Sequence, residues 1–107
     1  MEKILLKELF VKLSNLKPLG CPCNEELSNF INSILELDPY YAGMALTVAE
    51  EGKIHLKDLY DIEELNLRFK KIQNIGPEDK KILEECKIYL SIITEIDRLL
   101  RVTSAKG

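Results

Sequence analysis

The fold is decided by residues 77–100, which read PEDKKILEECKIYLSIITEIDRLL. Apolar side chains recur there at steps of 4, 3, 4, 3 and 4 residues, at Ile82, Cys86, Tyr89, Ile93, Ile96 and Leu100. This spacing places all of them on one face of an α-helix. Pro77 suits the first position of a helix, and Glu78 and Asp79 would follow in its first turn. The stretch therefore predicts one long C-terminal helix.

This helix carries a second apolar stripe beside the first, made of Leu83, Leu90, Ile92 and Leu99. About 24 helical residues extend for roughly 36 Å, whereas a chain of this size has a radius of gyration of about 13 Å. The helix must therefore span the whole molecule or reach beyond it. The second stripe either is covered by the chain's own helices, which makes this helix the central spine of a bundle, or meets a second copy of the protein.

Two amphipathic helices are predicted in the first part of the chain. Residues 2–16 place leucines and Phe10 on one face, with lysines and Glu8 opposite. Residues 17–23 contain two prolines and a glycine, and they are predicted to form a loop because a helix interior does not tolerate this composition. Asn24 is suited to cap a second helix, since its side chain can accept a backbone hydrogen bond.

Further helix boundaries follow from proline, glycine and aspartate. Pro39 disfavours the α conformation at Asp38 and suits the first position of a helix. The second helix is therefore predicted to end at Asp38, which would cap a third helix that ends at Glu51 before a glycine. Residues 56–74 return to helical spacing, with a potential break around Asp61. With the last helix, these segments predict an all-α bundle of about five helices with the C-terminal helix as spine.

Length and composition predict a single helical domain over residues 1–107, with 102–107 as a frayed tail. The chain has 107 residues and a mass of 12.3 kDa, with 46% hydrophobic and 31% charged residues. No apolar run approaches the roughly 20 residues of a membrane span, and the N-terminal residues lack the apolar core of a signal peptide. We therefore expect a cytoplasmic protein with no membrane association.

The charge balance argues against nonspecific binding to nucleic acids. The net charge is −3 and the isoelectric point about 5.2, whereas coating nucleic acid or an anionic membrane requires a strongly positive field. The distribution is uneven, because residues 18–52 carry six acids and no base. No sequence motif indicates a catalytic site or a bound cofactor. The chain is therefore predicted to be non-enzymatic.

The cysteines and the single histidine supply one alternative, a zinc-stabilised module. Cys21, Cys23, His55 and Cys86 together offer the four thiolate and imidazole ligands that structural zinc prefers. The odd number of cysteines in a chain without an export signal argues against disulfides, so reduced thiols are expected. Cys86 also lies on the apolar stripe of the last helix, where an inert buried thiol is common.

A second alternative comes from residues 45–59, which read ALTVAEEGKIHLKDL. This stretch resembles winged helix-turn-helix regulators, in which an apolar helix ends in Ala-Glu-Glu-Gly and is followed by a short strand and a Leu-x-x-Leu segment. The resemblance implies that the next helix would read DNA, with Arg68, Lys70 and Lys71 as its basic contacts, and that the long last helix would form the dimer interface. The pattern also fits two plain helices joined at a glycine.

The remaining features favour a protein that acts by binding another protein. Tyr40, Tyr41 and Met44 form an aromatic patch that suits either a core or a docking surface. The second stripe of the last helix adds Leu83, Leu90 and Leu99 as candidate contacts, to a partner or to a second copy in a homodimer. We therefore expect a small accessory or regulatory protein that occludes or bridges through a helical face. Inhibitors, immunity proteins and complex subunits share this size and class.

Overall fold

A computed structural model of the chain describes residues 2–51 and 59–106. These ranges contain four α-helices, α1 (Glu2–Ser14), α2 (Glu25–Glu51), α3 (Ile62–Lys71) and α4 (Lys80–Lys106), together with a 3₁₀ turn over Pro77–Asp79. All regular structure in the described ranges is helical. The prediction of an all-α chain with a long C-terminal helix is therefore confirmed, with four helices in the described residues in place of about five.

Side-chain contacts fix the direction of each helix relative to α4. The loop after α1 meets the first half of α4, where the Tyr89 hydroxyl donates to the Lys17 carbonyl oxygen at 2.8 Å. Asn24, at the start of α2, bonds to Asp79 just before α4, and Tyr41 further along α2 bonds to Asp97 late in α4, so α2 runs parallel to α4. Tyr60, just before α3, bonds to Arg101 late in α4, and Asn66 within α3 reaches the earlier Thr94, so α3 runs antiparallel to α4. Successive helices therefore alternate in direction, and the chain forms an up-down-up-down bundle.

The core lies where α1, α2 and α4 meet, and α4 is its spine. Five of the six side chains in the first stripe of α4 are buried, at Cys86, Tyr89, Ile93, Ile96 and Leu100. In the second stripe Leu90 and Leu99 are also buried, and Leu83 and Ile92 pack against the core while partly exposed. The chain's own helices thus cover most of both stripes.

The prediction of a helix boundary at Asp38-Pro39 is wrong, because α2 continues through Pro39. A proline inside a helix removes one hydrogen bond, here to the carbonyl of Leu35, and its ring crowds that turn. Leu35 and Pro39 are both exposed, so water can donate a hydrogen bond to the Leu35 carbonyl in place of the missing N–H of residue 39. Buried side chains on both sides of the proline, Leu37 and Tyr41 among them, hold the helix together by packing. Asp38 lies inside α2 and does not begin a helix.

Other boundaries agree more closely with the sequence pattern. The Asn24 side chain accepts a hydrogen bond from the Leu27 N–H at 2.9 Å and caps α2 as predicted. Asp61 caps α3 by accepting from the Glu64 N–H at 3.1 Å, which accounts for the break expected there.

Residues 102–106, predicted to be frayed, belong to α4. Among the described residues, no helix has the length and apolar character that crossing a membrane requires.

Candidate functional site

Four of the six residues predicted to contact a partner belong to the core of this chain. Tyr41 is fully buried, and Met44, Leu90 and Leu99 are 8%, 3% and 3% exposed. These side chains belong to the hydrophobic core, so they present almost no surface to another molecule. Leu83 is partly exposed. Tyr40, at 38% exposure, is the residue of this set that retains the most accessible surface.

The buried Tyr41 hydroxyl connects α2, α4 and the segment before α3. It donates to Oδ1 of Asp97 at 2.8 Å and accepts from the Tyr60 N–H at 3.1 Å. Burial, and then the hydrogen bond to Asp97, raise the pKa of Tyr41 well above its ordinary value. The hydroxyl therefore keeps its proton and remains a donor to Asp97.

Arg101 completes this network on the exposed side. Its Nε donates to Oδ2 of Asp97 at 2.8 Å, and its Nη2 donates to the Tyr60 carbonyl oxygen at 3.1 Å. The hydrogen bond to Asp97 raises the pKa of Arg101. Both oxygens of Asp97 are thus engaged, and the backbone of Tyr60 is held through its N–H by Tyr41 and through its carbonyl by Arg101.

This network supports a group of three aromatic rings, the tyrosine cluster, made of Tyr40, Tyr41 and Tyr60. The rings of Tyr40 and Tyr60 lie 5.2 Å apart between centroids, and Tyr41 meets each of them edge-on. Tyr41 is buried beneath, whereas Tyr60 is 50% exposed. The exposed rings of Tyr40 and Tyr60 therefore pack on the buried Tyr41, whose hydroxyl is held by hydrogen bonds.

A cleft of about 940 Å³ opens beside the tyrosine cluster, between α3, α4 and the segment that precedes α3. Its lining is Leu59, Tyr60, Asp61, Ile62, Glu63, Asn66, Leu67, Lys70, Thr94, Asp97, Arg98 and Arg101. Leu67 is an exposed apolar residue at 55%. Asn66 donates to the Thr94 hydroxyl at 3.2 Å and to the Ile62 carbonyl at 2.9 Å, and Arg98 pairs with Glu95. Aromatic and apolar surface thus lies beside polar groups that are mostly bonded to each other.

The residues assigned to the nucleic-acid alternative are exposed in the last turn of α3. The Arg68 guanidinium lies 5.6 Å from the centroid of the Phe30 ring, and Lys70 lines the cleft. Arg68 and Lys71 share a shallow depression with the acidic Glu26. The short strand that the winged-helix resemblance implies falls within residues 52–58, outside the described residues, and the described ranges contain no strand that could form a wing.

The three cysteines of the zinc alternative, which lie within the described residues, are not brought together as a metal-binding group. Cys21 and Cys23 are exposed, whereas Cys86 is fully buried in the core. Burial raises the pKa of the Cys86 thiol to about 12, which keeps it protonated and unreactive. His55 lies outside the described residues. Within those residues, no group of three or more histidine, cysteine, aspartate or glutamate side chains could hold a metal ion.

A buried carboxylate, Asp79, fastens the loop after α1 to the start of α4. It is 3% exposed and accepts from the Cys23 N–H at 3.0 and 3.1 Å and from the Asn24 N–H at 2.9 Å. A carboxylate that accepts backbone N–H groups at a helix N-terminus makes strong, charge-assisted bonds. Asp79 therefore sets the position at which α2 begins.

Asp79→Ala should lower the free energy of unfolding by about 2 kcal/mol, because it leaves part-buried N–H groups without an acceptor. Glu78→Ala removes the same charge one residue earlier from an exposed position and should change stability by less than about 0.5 kcal/mol. Urea unfolding of both variants measures the difference. Equal effects of the two substitutions would show that Asp79 does not fasten the loop.

The sequence pattern did not single out Asp97, Tyr60 or Asp79 as site residues. Asp97 did carry a signal, since it follows Ile93 by four residues and precedes Leu100 by three, which places a charge beside an apolar stripe. A buried charge requires a partner. Arg101, four residues later on the same helix, could be recognised as a partner from the sequence, whereas the partner Tyr41 becomes evident only when α2 is laid against α4.

Comparison with models of known protein families, with curated proteins and with solved structures gave no match.

Proposed function

We propose that the chain is a small, non-enzymatic accessory or regulatory protein of the cytoplasm that binds another protein through the tyrosine cluster and the adjoining cleft. The observation that carries this proposal is the pair of exposed rings of Tyr40 and Tyr60, 5.2 Å apart, above the bonded network of Tyr41. Tyrosine is enriched in protein interfaces because its ring is apolar and its hydroxyl tolerates water. Binding would occlude or bridge the partner.

Preorganisation supports this proposal. Association is costly when a loop or side chain must be ordered on binding. Here the backbone of Tyr60 already has both its N–H and its carbonyl bonded, and its ring already contacts Tyr40. A partner therefore meets an ordered aromatic surface, and less of the interaction energy is spent on ordering this segment.

The arrangement of polarity around the cleft also resembles a protein interface. Typical interfaces have an aromatic or apolar centre and a polar, solvent-accessible edge. Tyr60 and Leu67 supply the apolar surface, and Glu63, Lys70 and Arg98 supply charges of both signs nearby. Mixed charge suits a protein surface better than a nucleic-acid backbone, which calls for a uniformly positive one.

A non-enzymatic role is supported by the pairing of the polar groups in the cleft. Asp97 is occupied by Tyr41 and Arg101, Asn66 by Thr94, and Asp61 by the start of α3. Groups that hold the fold together in this way are poorly suited to exchange protons with a substrate, because each transfer would break a structural bond. The cleft is therefore a contact surface in this proposal.

Tyr60→Ala tests the proposal, since a central aromatic contact is worth about 2 kcal/mol or more, equivalent to roughly a 30-fold loss of affinity. The immobilised protein would be exposed to an extract of the source organism, with quantitative mass spectrometry of the retained proteins. We expect a specific partner retained by the unmodified chain and depleted about 30-fold by the variant. Ile88→Ala, equally exposed at 51% on α4 and outside the cleft, should leave retention unchanged.

The outcomes separate protein binding from DNA binding. A protein partner retained equally by Tyr60→Ala would contradict the assignment of the surface. Salt-dependent binding to duplex DNA that is abolished by Lys70→Glu with Lys71→Glu, with no protein retained, would favour the winged-helix alternative.

A further inference from the structure

The exposed pair Cys21 and Cys23 lies on a loop at one end of the bundle. Residues 17–24, named here the dithiol loop, connect the end of α1 to the start of α2 and contact the beginning of α4. Both thiols are free and exposed, and Pro22 between them restricts the backbone. The loop therefore presents two thiols, two residues apart, to solvent.

The dithiol loop is fastened to the bundle at three places. The Lys17 carbonyl accepts from the Tyr89 hydroxyl at 2.8 Å, and the Cys23 N–H bonds to Asp79. Between these points Gly20 approaches α4 so closely that an added Cβ would lie 3.3 Å from Cδ1 of Ile82. The backbone is thus held at Gly20, next to Cys21, and at Cys23 before any ligand arrives, which lowers the entropic cost of binding.

Thiolates are ligands for soft and borderline metal ions, and structural zinc takes four ligands in a tetrahedron. This chain presents two accessible thiols, because Cys86 is buried in the core. The described residues provide no third histidine, cysteine or carboxylate that would form a metal-binding group with them. Half of a four-thiolate site is therefore present in each copy.

We propose that Cys21 and Cys23 bind zinc together with the same two residues of a second copy, which joins two chains end to end through one metal ion. A two-fold axis through the metal gives both copies the same two ligands. The four thiols release four protons on binding, and the resulting Zn(S⁻)₄ centre carries a charge of 2−.

The site is independent of the proposed protein-binding surface. Asp79 contacts the dithiol loop, and Asp97 supports the tyrosine cluster. The two residues are 18 positions apart along the last helical stretch, which at 1.5 Å per residue is about 27 Å. A partner at the tyrosine cluster and a second copy at the dithiol loop can therefore bind at the same time. Failure of either proposal leaves the other standing.

Zinc titration of the reduced chain, followed by native mass spectrometry, tests this proposal. We expect a dimer that contains one zinc ion and dissociates when a chelator is added. Cys21→Ser and Cys23→Ser should each lower zinc affinity at least 100-fold and leave the chain monomeric. Both side chains are exposed, and Asp79 bonds to the backbone of Cys23, so the folded monomer should keep its helical circular dichroism.

A thiol reagent supplies a second readout in the same samples. Two thiols per chain should react rapidly in the native, metal-free protein and both should be protected by zinc, while Cys86 reacts only after unfolding. The proposal is overturned if zinc is not taken up, if it binds to a monomer, or if it still forms the dimer in both serine variants.

Discussion

Asp97→Ala is expected to lower the free energy of unfolding by about 3 kcal/mol, because the buried Tyr41 hydroxyl loses its charged acceptor and the half-exposed Arg101 loses its ion-pair partner. Asp97 is 7% exposed and holds both the Tyr41 hydroxyl and Nε of Arg101. The substitution removes the charged acceptor that joins α2 to α4, and the buried hydroxyl is left with no acceptor for its proton. Urea unfolding followed by circular dichroism measures the loss.

Glu95→Ala is the matched control for Asp97→Ala. It removes an acid two residues earlier on the same helix, where the pair with Arg98 is solvent-exposed, and exposed pairs contribute less than about 1 kcal/mol. In a double-mutant cycle, Asp97→Ala combined with Tyr41→Phe should lower the free energy of unfolding by less than the sum of the two single losses. Both substitutions break the same hydrogen bond. Equal effects of Asp97→Ala and Glu95→Ala would contradict the role assigned to the network.

Pro39→Ala is expected to raise the free energy of unfolding by about 2 kcal/mol. Proline inside a helix is about 3 kcal/mol less favourable than alanine, and the greater freedom of the unfolded alanine chain offsets part of the gain by about 0.4 to 1 kcal/mol. Pro39 is exposed, so the substitution empties no space in the core. The restored N–H can donate to the carbonyl of Leu35 and complete the ladder of α2. Chemical denaturation measures the gain.

Gly43→Ala calibrates this effect in the same helix. An added Cβ at Gly43 meets nothing within 4 Å, so the substitution should give the ordinary propensity gain of about 1 kcal/mol or less. A loss of stability in Pro39→Ala, beside a gain in Gly43→Ala, would show that the proline is required for the packing of Tyr41 and its neighbours.

Local patterns in the sequence predict much of the helical framework. The periodicity of α4, the cap at Asn24, the loop over residues 17–23 and the break at Asp61 depend on neighbouring residues and could be read directly. The continuation of α2 through Pro39 could not be predicted in this way. The local preference of proline to end a helix is overcome by apolar contacts between α2 and the rest of the bundle. Propensity is a weak guide where tertiary packing opposes it.

The candidate site was only partly predictable, since it depends on contacts between residues distant in the chain. Tyr40 was singled out, but its ring partner Tyr60 lies 20 residues away and has no local signal. The sequence pattern places Tyr41 on the same surface, but Tyr41 lies in the core, where its hydroxyl donates a hydrogen bond to Asp97. Which of two adjacent tyrosines faces solvent is decided by the helix that packs against them.

Photocrosslinking tests most directly the claim that this chain binds a protein through the tyrosine cluster and the cleft. A photoreactive amino acid would replace Leu67, which lines the cleft and is 55% exposed. The control would carry it at Val11, 48% exposed on α1, a helix that contributes no residue to the cleft. We expect a single protein adduct from position 67 and none from position 11 after irradiation in cells of the source organism. Adducts from position 11 alone, or none from either position, would contradict the proposed surface.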